Sequence, residues 1–238
     1  MPAVSRVTGA LFLVLLAWFM PGTAAGAVEL QQPDGQTLQL EGPASRLVTL
    51  APHLAELVFE AGAGDSLLAT VAYSDYPEGA RSLPRIGDAY RLDIEGILAL
   101  RPDLVIAWDS GNPRAAVAQL RGLGLDVWSI EIRQPAEIAT MLRAIGRATG
   151  RPAQADAAAT AFERRLAGLA DRYTGAGTLD YFYQVDANPL FTIGSDHLIS
   201  QGLALCGGRN VFGGEDGLAF QVSHEAVVAA DPDALLAP

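Results

Sequence analysis

The chain has 238 residues, with 16 basic and 27 acidic side chains, a formal net charge of −11, three histidines and one cysteine. Every basic residue is an arginine, which excludes phosphate-loop nucleotide hydrolases, Schiff-base lyases, pyridoxal enzymes and protein kinases, because these need a lysine at a fixed place. The acidic charge argues against binding to nucleic acid or anionic membranes. One cysteine allows no intrachain disulfide, and the scattered histidines predict no metal site.

Residues 1–27 have the pattern of a secretory signal peptide. Arg6 precedes an uninterrupted apolar run over residues 10–20, Pro21 ends that run, and Ala25-Gly26-Ala27 fits a cleavage site. The run is too short to span a membrane. We therefore predict an exported, periplasmic protein that does not insert directly into a membrane.

The next hundred residues alternate between strand and helix patterns. A hairpin is predicted around Asp34-Gly35. The predicted strands are 46–50, 67–71, 104–108 and 126–130, and the predicted helices start at Pro52, Asp93 and Asn112-Pro113. This order predicts a parallel sheet with helices on both faces, forming an N-terminal α/β lobe over residues 28–134.

Two consecutive helical patterns then interrupt the alternation. They cover residues 135–149 and 152–173, and the second would be about 33 Å long at the usual rise per residue. We interpret residues 135–177 as a helical bridge between two lobes. In the C-terminal α/β lobe, residues 178–238, the patterns predict a strand over 179–185, a helix capped by Ser195 that runs to Cys206, and a helix capped by Ser223 that runs to Ala230.

A weak internal repeat supports the division into two lobes. Residues 93–108 align without gaps on residues 223–238, and each copy reads as a cap, a helix, a proline stop and a strand. Each copy has a glutamate two residues after its cap, Glu95 and Glu225. The first lobe continues beyond its copy, so we expect the C-terminal lobe to be incomplete. The predicted fold is α/β, with two Rossmann-like lobes of parallel sheets joined by one long α-helix.

Six segments carry a resemblance to a known family. They are RLVTLAPHLAELVFEAG, YSDYP, SLPRIGDAYRLDIEGILALRPDLVIAW, NPLFTIG, CGGRNVF and QVSHEAV. In this order they resemble the helical-backbone (class III) substrate-binding proteins of ABC importers, which serve cobalamin, haem and iron-siderophore uptake. The cobalamin-binding members are the most similar.

The resemblance implies a function and a set of binding residues. It implies capture of cobalamin in the cleft between the lobes and delivery to the permease of an ABC importer by a monomer that needs no cofactor of its own. The ligand-binding residues would be aromatic: Tyr73, Tyr90, Trp108, Phe191 and Phe220. The resemblance also implies that Glu95 and Glu225 dock with arginines of the permease, although an acid in a first helical turn is also stabilised by the helix dipole alone.

Two departures keep other ligands open. Cobalamin-binding members have tryptophan where this chain has Asp88-Ala89-Tyr90, and again near Phe220. Haem-binding members have an iron-ligating tyrosine near the position of Tyr90. Haem or an iron-siderophore is therefore the alternative ligand.

Two further possibilities are an exported α/β enzyme and a metal-ion-binding relative of the same fold, and the small number of histidines disfavours the second. No nucleophile, metal cluster or carboxylate pair stands at a working spacing, and the three histidines fall in first helical turns, where a solvated or capping role is favoured. We therefore predict a binding protein rather than an exported α/β enzyme, with no catalytic residues.

Overall fold

A computed structural model of the chain describes residues 26–88 and 90–238. The predicted signal peptide lies outside these residues except for Gly26 and Ala27. Among the helices of the described part, none is both long enough and apolar enough to cross a membrane.

The N-terminal lobe consists of a hairpin and a parallel sheet. The hairpin turns at Gly35, whose φ of 80° lies in the left-handed region, and the four sheet strands lie in the order β4-β3-β5-β6, all parallel. The strands are β1 (Val28–Gln31), β2 (Thr37–Leu40), β3 (Leu47–Thr49), β4 (Leu67–Ala69), β5 (Leu104–Trp108) and β6 (Val127–Ile130). The predicted hairpin and the predicted parallel sheet are confirmed.

Helices cover both faces of this sheet. They are α1 (Pro52–Glu60), α2 (Glu78–Arg81), α3 (Ile94–Leu100), α4 (Arg114–Gly122), α5 (Pro135–Ala148) and α6 (Pro152–Tyr173). On one face, α1 and α5 bury residues such as Leu54 and Leu142. On the other, α3 and α4 bury Ile97 and Leu120. Because the strands are covered on both faces, they are continuous apolar runs rather than alternating ones.

The long helix α6 is anchored to the N-terminal lobe at its start. Ala155 and Ala159 are buried in the same core as α1 and α5. Arg143 of α5 donates hydrogen bonds to the carboxylates of Asp156 (2.8 Å) and Glu163 (2.6 Å) of α6. The two predicted helices are therefore confirmed, and α5 with the first half of α6 adds to the core of the N-terminal lobe.

The C-terminal lobe contains two small sheets. One is parallel, in the order β10-β7-β12, and the other is antiparallel, in the order β11-β9-β8. Its elements are β7 (Leu179–Tyr183), β8 (Asp186–Ala187), β9 (Leu190–Ile193), α7 (Leu198–Ala204), β10 (Gly208–Asn210), β11 (Ala219–Gln221), α8 (His224–Ala230) and β12 (Ala234–Leu236). The sequence patterns did not predict the antiparallel sheet.

The caps of the two C-terminal helices differ in how well they were predicted. Ser223 caps α8 as predicted, because its side chain accepts a hydrogen bond from the amide of Ala226. The prediction that Ser195 caps a helix running to Cys206 was wrong, because His197 caps α7 by accepting from the amide of Ile199 and the helix ends at Ala204.

The internal repeat is also present in the backbone. Helices α3 and α8 end at Arg101 and Asp231, with φ/ψ of 46°/58° and 45°/58°, both left-handed. Two residues later in each copy, Asp103 accepts a hydrogen bond from the amide of Arg46 (2.9 Å), and Asp233 accepts one from the amide of Asp180 (2.9 Å). Each aspartate thus ties the start of its strand to the parallel neighbour.

Candidate functional site

A cleft of about 820 Å³ lies between the two lobes. Its walls come from the loops after β4, β5 and β6, from α1, α5 and α6, and, in the C-terminal lobe, from the start of α7, the start of β11 and the residues just before each. The apolar part of the lining comprises Leu57, Trp108, Ile132, Ile138, Leu142, Phe162, Leu198, Ile199, Leu218 and Ala219. The volume and the apolar lining are typical of a site for an organic ligand.

Trp108 stands at the carboxyl end of β5, where open parallel sheets bind ligands. The Asn112 side chain fixes the loop that follows it: its oxygen accepts a hydrogen bond from the Trp108 amide (2.7 Å), and its amide donates one to the carbonyl of Leu50 (2.8 Å). The half-buried indole is therefore held to the sheet at the edge of the cleft.

His53 packs against Trp108 in this wall. Its imidazole meets the indole edge to face, with the ring centroids 5.2 Å apart and the planes at 88°. Burial lowers the pKa of His53 below its usual 6.5, and the nearby Glu131 carboxylate opposes this only in part. The neutral imidazole is therefore the favoured form at neutral pH.

Glu131 contributes a negative charge to the cleft from the loop after β6. Its carboxylate accepts a hydrogen bond from the Ser110 amide (2.9 Å). Across the cleft, burial lowers the pKa of His197 while the charge of Glu131 raises it. Glu131 lines the same cleft as His53 of the N-terminal lobe and His197 of the C-terminal lobe, so its charge lies between histidines of both walls.

Charged side chains at the cleft are unequal in number. Four are acidic and two are basic: Glu56, Glu60, Glu131, Asp196, Arg133 and Arg165. Arg165 of α6 lies 4.0 Å from Glu60 of α1. Burial raises the pKa of Glu56 above its usual value. The cleft as a whole is therefore more suited to a neutral or cationic ligand than to an anionic one.

Of the five aromatic residues predicted to bind ligand, Trp108 lines this cleft. Tyr73, Tyr90, Phe191 and Phe220 are not among the lining residues within the described part of the chain.

The backbone explains the position of Tyr73, which is 81 % exposed and has a φ of 66°. The next residue, Ser74, takes the buried place instead, with its hydroxyl 2.9 Å from that of Thr70. Arg85 secures this turn by donating to the Ser74 carbonyl (3.0 Å).

Different local causes keep the other aromatic residues away from the cleft lining. The Asp88 side chain accepts a hydrogen bond from the amide of Tyr90 (2.8 Å), in a turn that leaves Tyr90 73 % exposed. Phe220 follows Ala219, which lines the cleft, and successive strand residues point to opposite faces. Phe191 is half-buried on β9, where it pairs with Gln221.

Sequence reasoning missed four ring-bearing residues of the cleft: His53, Tyr76, Phe162 and His197. Tyr76 is part of the YSDYP segment and lines the cleft, although only Tyr73 of that segment was singled out. His53 lies in the first turn of α1, four residues after β3 ends at Thr49. The rule that pointed to Trp108, the carboxyl end of a parallel strand, applies to it as well. The helical-turn position of His53 favoured a solvated or capping role instead.

The two predicted docking glutamates have equivalent positions in the two copies of the repeat. Glu95 and Glu225 are exposed, each in the first turn of its helix after the capping residue. Glu225 also borders a separate cavity of about 550 Å³ that Asn188 and His224 help to line. Neither glutamate lines the cleft between the lobes, as far as the described residues show.

Metal binding by the chain itself has no support in the described residues. Over 26–88 and 90–238, no three His, Cys, Asp or Glu side chains come together as a group that could hold a metal ion.

Comparison with known proteins adds three findings. A vitamin B12-binding protein of Vibrio cholerae is 38% identical over 193 residues, which cover 81% of this chain and 70% of that protein. The crystal structure of the periplasmic vitamin B12 binding protein of Vibrio cholerae superposes with a TM-score of 0.77 at 37% identity, covering 82% of this chain and 76% of that one. A periplasmic heme binding protein from Pseudomonas aeruginosa gives a TM-score of 0.74 at 26% identity, covering 82% and 71%.

The family assignment rests on most of the sequence. The model of the periplasmic binding protein family matches residues 47–237. This range includes the parallel sheet of the N-terminal lobe, the two long helices, the elements of the C-terminal lobe and every residue that lines the cleft. The resemblance inferred from the sequence segments is thereby confirmed, and the chain belongs to the periplasmic binding protein family.

Proposed function

We propose that this protein is exported to the periplasm, binds cobalamin in the cleft between its lobes and delivers it to the permease of an ABC importer. The observation that carries the proposal is a cleft lined by both lobes, with Trp108 at its wall, in a chain that is 38% identical to a vitamin B12-binding protein. The N-terminal pattern over residues 1–27 supports export.

The chemistry of the cleft suits a corrin. A corrin ring is a broad apolar plate with amide groups at its edge. Trp108 and Phe162 offer flat aromatic surface to such a plate, and flat rings bury area at a low cost in side-chain entropy. Ser110, Arg133 and His197 offer polar groups to the amides. An apolar lining with a few placed polar groups is the usual arrangement of such sites.

Haem is the second candidate ligand. The 26% identity to a periplasmic heme binding protein favours it, and Arg133 and Arg165 could pair with its carboxylates. However, haem brings two negative charges into a cleft that already has more acidic than basic side chains. Cobalamin avoids this repulsion, so we rank it first.

The roles of the remaining predicted residues follow from their positions. We propose that Glu95 and Glu225 contact the permease, because they are exposed, equivalent in the two lobes and separate from the cleft lining. Ligand contact by the other four aromatic residues stays a prediction: Tyr73, Tyr90, Phe191 and Phe220. We propose that the protein acts as a monomer, without catalysis and without a cofactor of its own.

Calorimetric titration of the mature protein tests the proposed ligand. Cyanocobalamin, haemin and a ferric siderophore are each titrated into the same preparation. We expect saturable one-to-one binding of cyanocobalamin, with haemin weaker by about tenfold or more. Tight haemin binding without cobalamin binding would replace the first candidate with the second. Binding of none of the three would refute the proposal.

A further inference from the structure

Of the two imidazoles in the cleft, only that of His197 has a fixed hydrogen bond. Its Nδ1 accepts from the Ile199 amide at 3.2 Å, so the proton of the neutral ring is on Nε2 and that nitrogen is a donor. The imidazole of His53 forms no hydrogen bond or ion pair with any part of the described chain. His53 therefore keeps one ring nitrogen with a free lone pair.

Three further properties make His53 suited to bind a metal centre. It lines the cleft beside Trp108. The edge-to-face contact with the indole, at a centroid distance of 5.2 Å, restricts the rotation of its ring. Burial favours the neutral form, and neutral imidazole is the commonest metal ligand that proteins offer.

The described chain does not complete a metal site of its own around His53, since no group of three ligating side chains includes it. A single imidazole needs a metal that arrives with most of its coordination positions filled. The metal of a tetrapyrrole meets this condition, because the ring supplies four nitrogen ligands and leaves the two axial positions for other ligands.

From these observations we propose that His53 is an axial ligand to the cobalt of a corrinoid that carries exchangeable axial water. This inference rests on the proposed function. In the ligation step the Co–O bond to water breaks, and the lone pair of an imidazole nitrogen forms the Co–N bond. Water leaves, the other ring nitrogen keeps its proton, and the oxidation state of cobalt is unchanged.

Ligation and binding are measured separately on the full mature chain. Calorimetry gives the affinities for aquocobalamin and cyanocobalamin, and the visible absorbance of bound aquocobalamin reports its axial ligand. In the wild type we expect a shift of the aquocobalamin bands on binding, no shift for cyanocobalamin because cyanide does not exchange, and an affinity for aquocobalamin higher by about tenfold or more.

Substitutions identify the histidine responsible. In His53→Ala and in the more conservative His53→Asn, the shift should vanish and the ratio of the two affinities should fall to about one, with cyanocobalamin still bound. His197→Ala should keep the shift, because the Nδ1 of His197 already caps α7. His224→Ala, an exposed histidine outside the cleft lining, is the matched control and should behave as the wild type.

The outcomes separate the inference from the proposed function. Binding of both corrinoids with no shift in the wild type, or a shift that survives both His53 substitutions, would overturn ligation by His53 and leave cobalamin binding intact. A shift lost only in His197→Ala would assign the ligand to the other lobe. Absence of binding by either corrinoid would overturn both proposals.

Discussion

Gly111 leaves the space that the indole of Trp108 occupies. A Cβ atom at Gly111 would overlap the six-membered part of that indole. The Asn112 side chain, one residue later, holds the Trp108 backbone through a hydrogen bond to its amide. A glycine and an asparagine in the short loop after β5 thus determine where the main aromatic surface of the cleft lies.

This relationship predicts that Gly111→Ala weakens cobalamin binding without removing any ligand-contacting group. The indole or the loop must shift, and a misplaced anchor loses contact area with the ligand. Gly122→Ala is the matched control, because a Cβ there meets nothing within 4 Å. Calorimetry should show a loss of about fivefold or more for Gly111→Ala and none for Gly122→Ala. Equal affinities for both variants would contradict the role given to Gly111.

Removal of the indole itself should have the larger effect. We expect Trp108→Ala to cost about 2 kcal/mol of binding free energy, on the order of 30-fold in affinity, because it deletes a flat anchor at the cleft wall. Tyr73→Ala and Tyr90→Ala test two of the other predicted ligand contacts, whose rings are mostly exposed and outside the cleft lining. We expect less than about threefold for each. A greater loss of affinity for either tyrosine variant than for Trp108→Ala would indicate that the ligand binds at these exposed tyrosines and not at the cleft wall.

The sequence predicted that Trp108 reaches the edge of the cleft, because the carboxyl end of a parallel strand lies at the ligand-binding edge of the sheet. The loop residues Gly111 and Asn112 then determine where the indole lies along that edge. The place of Tyr73 depends on a left-handed backbone and a buried hydroxyl at Ser74, which no periodicity reveals. Whether Phe220 or its neighbour Ala219 faces the cleft depends on the register of the antiparallel sheet, which the patterns did not predict.

For the fold as well, the features that local sequence signals determine were predicted correctly. Helix α8 was predicted to end at Ala230, and α6 was predicted with both of its ends, because caps and prolines are local signals. The start of α7 was misplaced because serine is the usual capping residue, whereas the side chain that accepts the hydrogen bond from the helix is that of His197.

Acidification should destabilise the protein in part through His53. Its pKa is lowered in the folded protein from 6.5, so the unfolded chain binds the proton more tightly. This contribution to the free energy of unfolding is fully present above the unfolded pKa and is lost as the pH falls toward the folded pKa. Denaturant unfolding between about pH 8 and pH 5.5 should therefore show a smaller loss of stability for His53→Asn than for the wild type. An identical pH dependence would contradict the burial of a neutral His53.

Charge reversal at both docking positions should separate transport from binding. We expect Glu95→Arg with Glu225→Arg to abolish cobalamin uptake by the reconstituted importer while leaving the dissociation constant in solution within about twofold. Glu78→Arg, another exposed acid in a first helical turn, is the matched control and should transport normally. Loss of ligand affinity in the double variant would show that these glutamates belong to the binding site. Normal uptake by it would rule out their docking role.

The central claim is that cobalamin lies between the two lobes, in contact with both. Amide hydrogen exchange with and without saturating cyanocobalamin tests it directly, because each wall of the cleft has its own peptides. The account predicts slower exchange in the N-terminal loops around Trp108 and Glu131 and, in the same experiment, around His197 and Ala219 of the C-terminal lobe. Protection confined to one lobe, or centred on residues outside these loops, would contradict binding in the cleft.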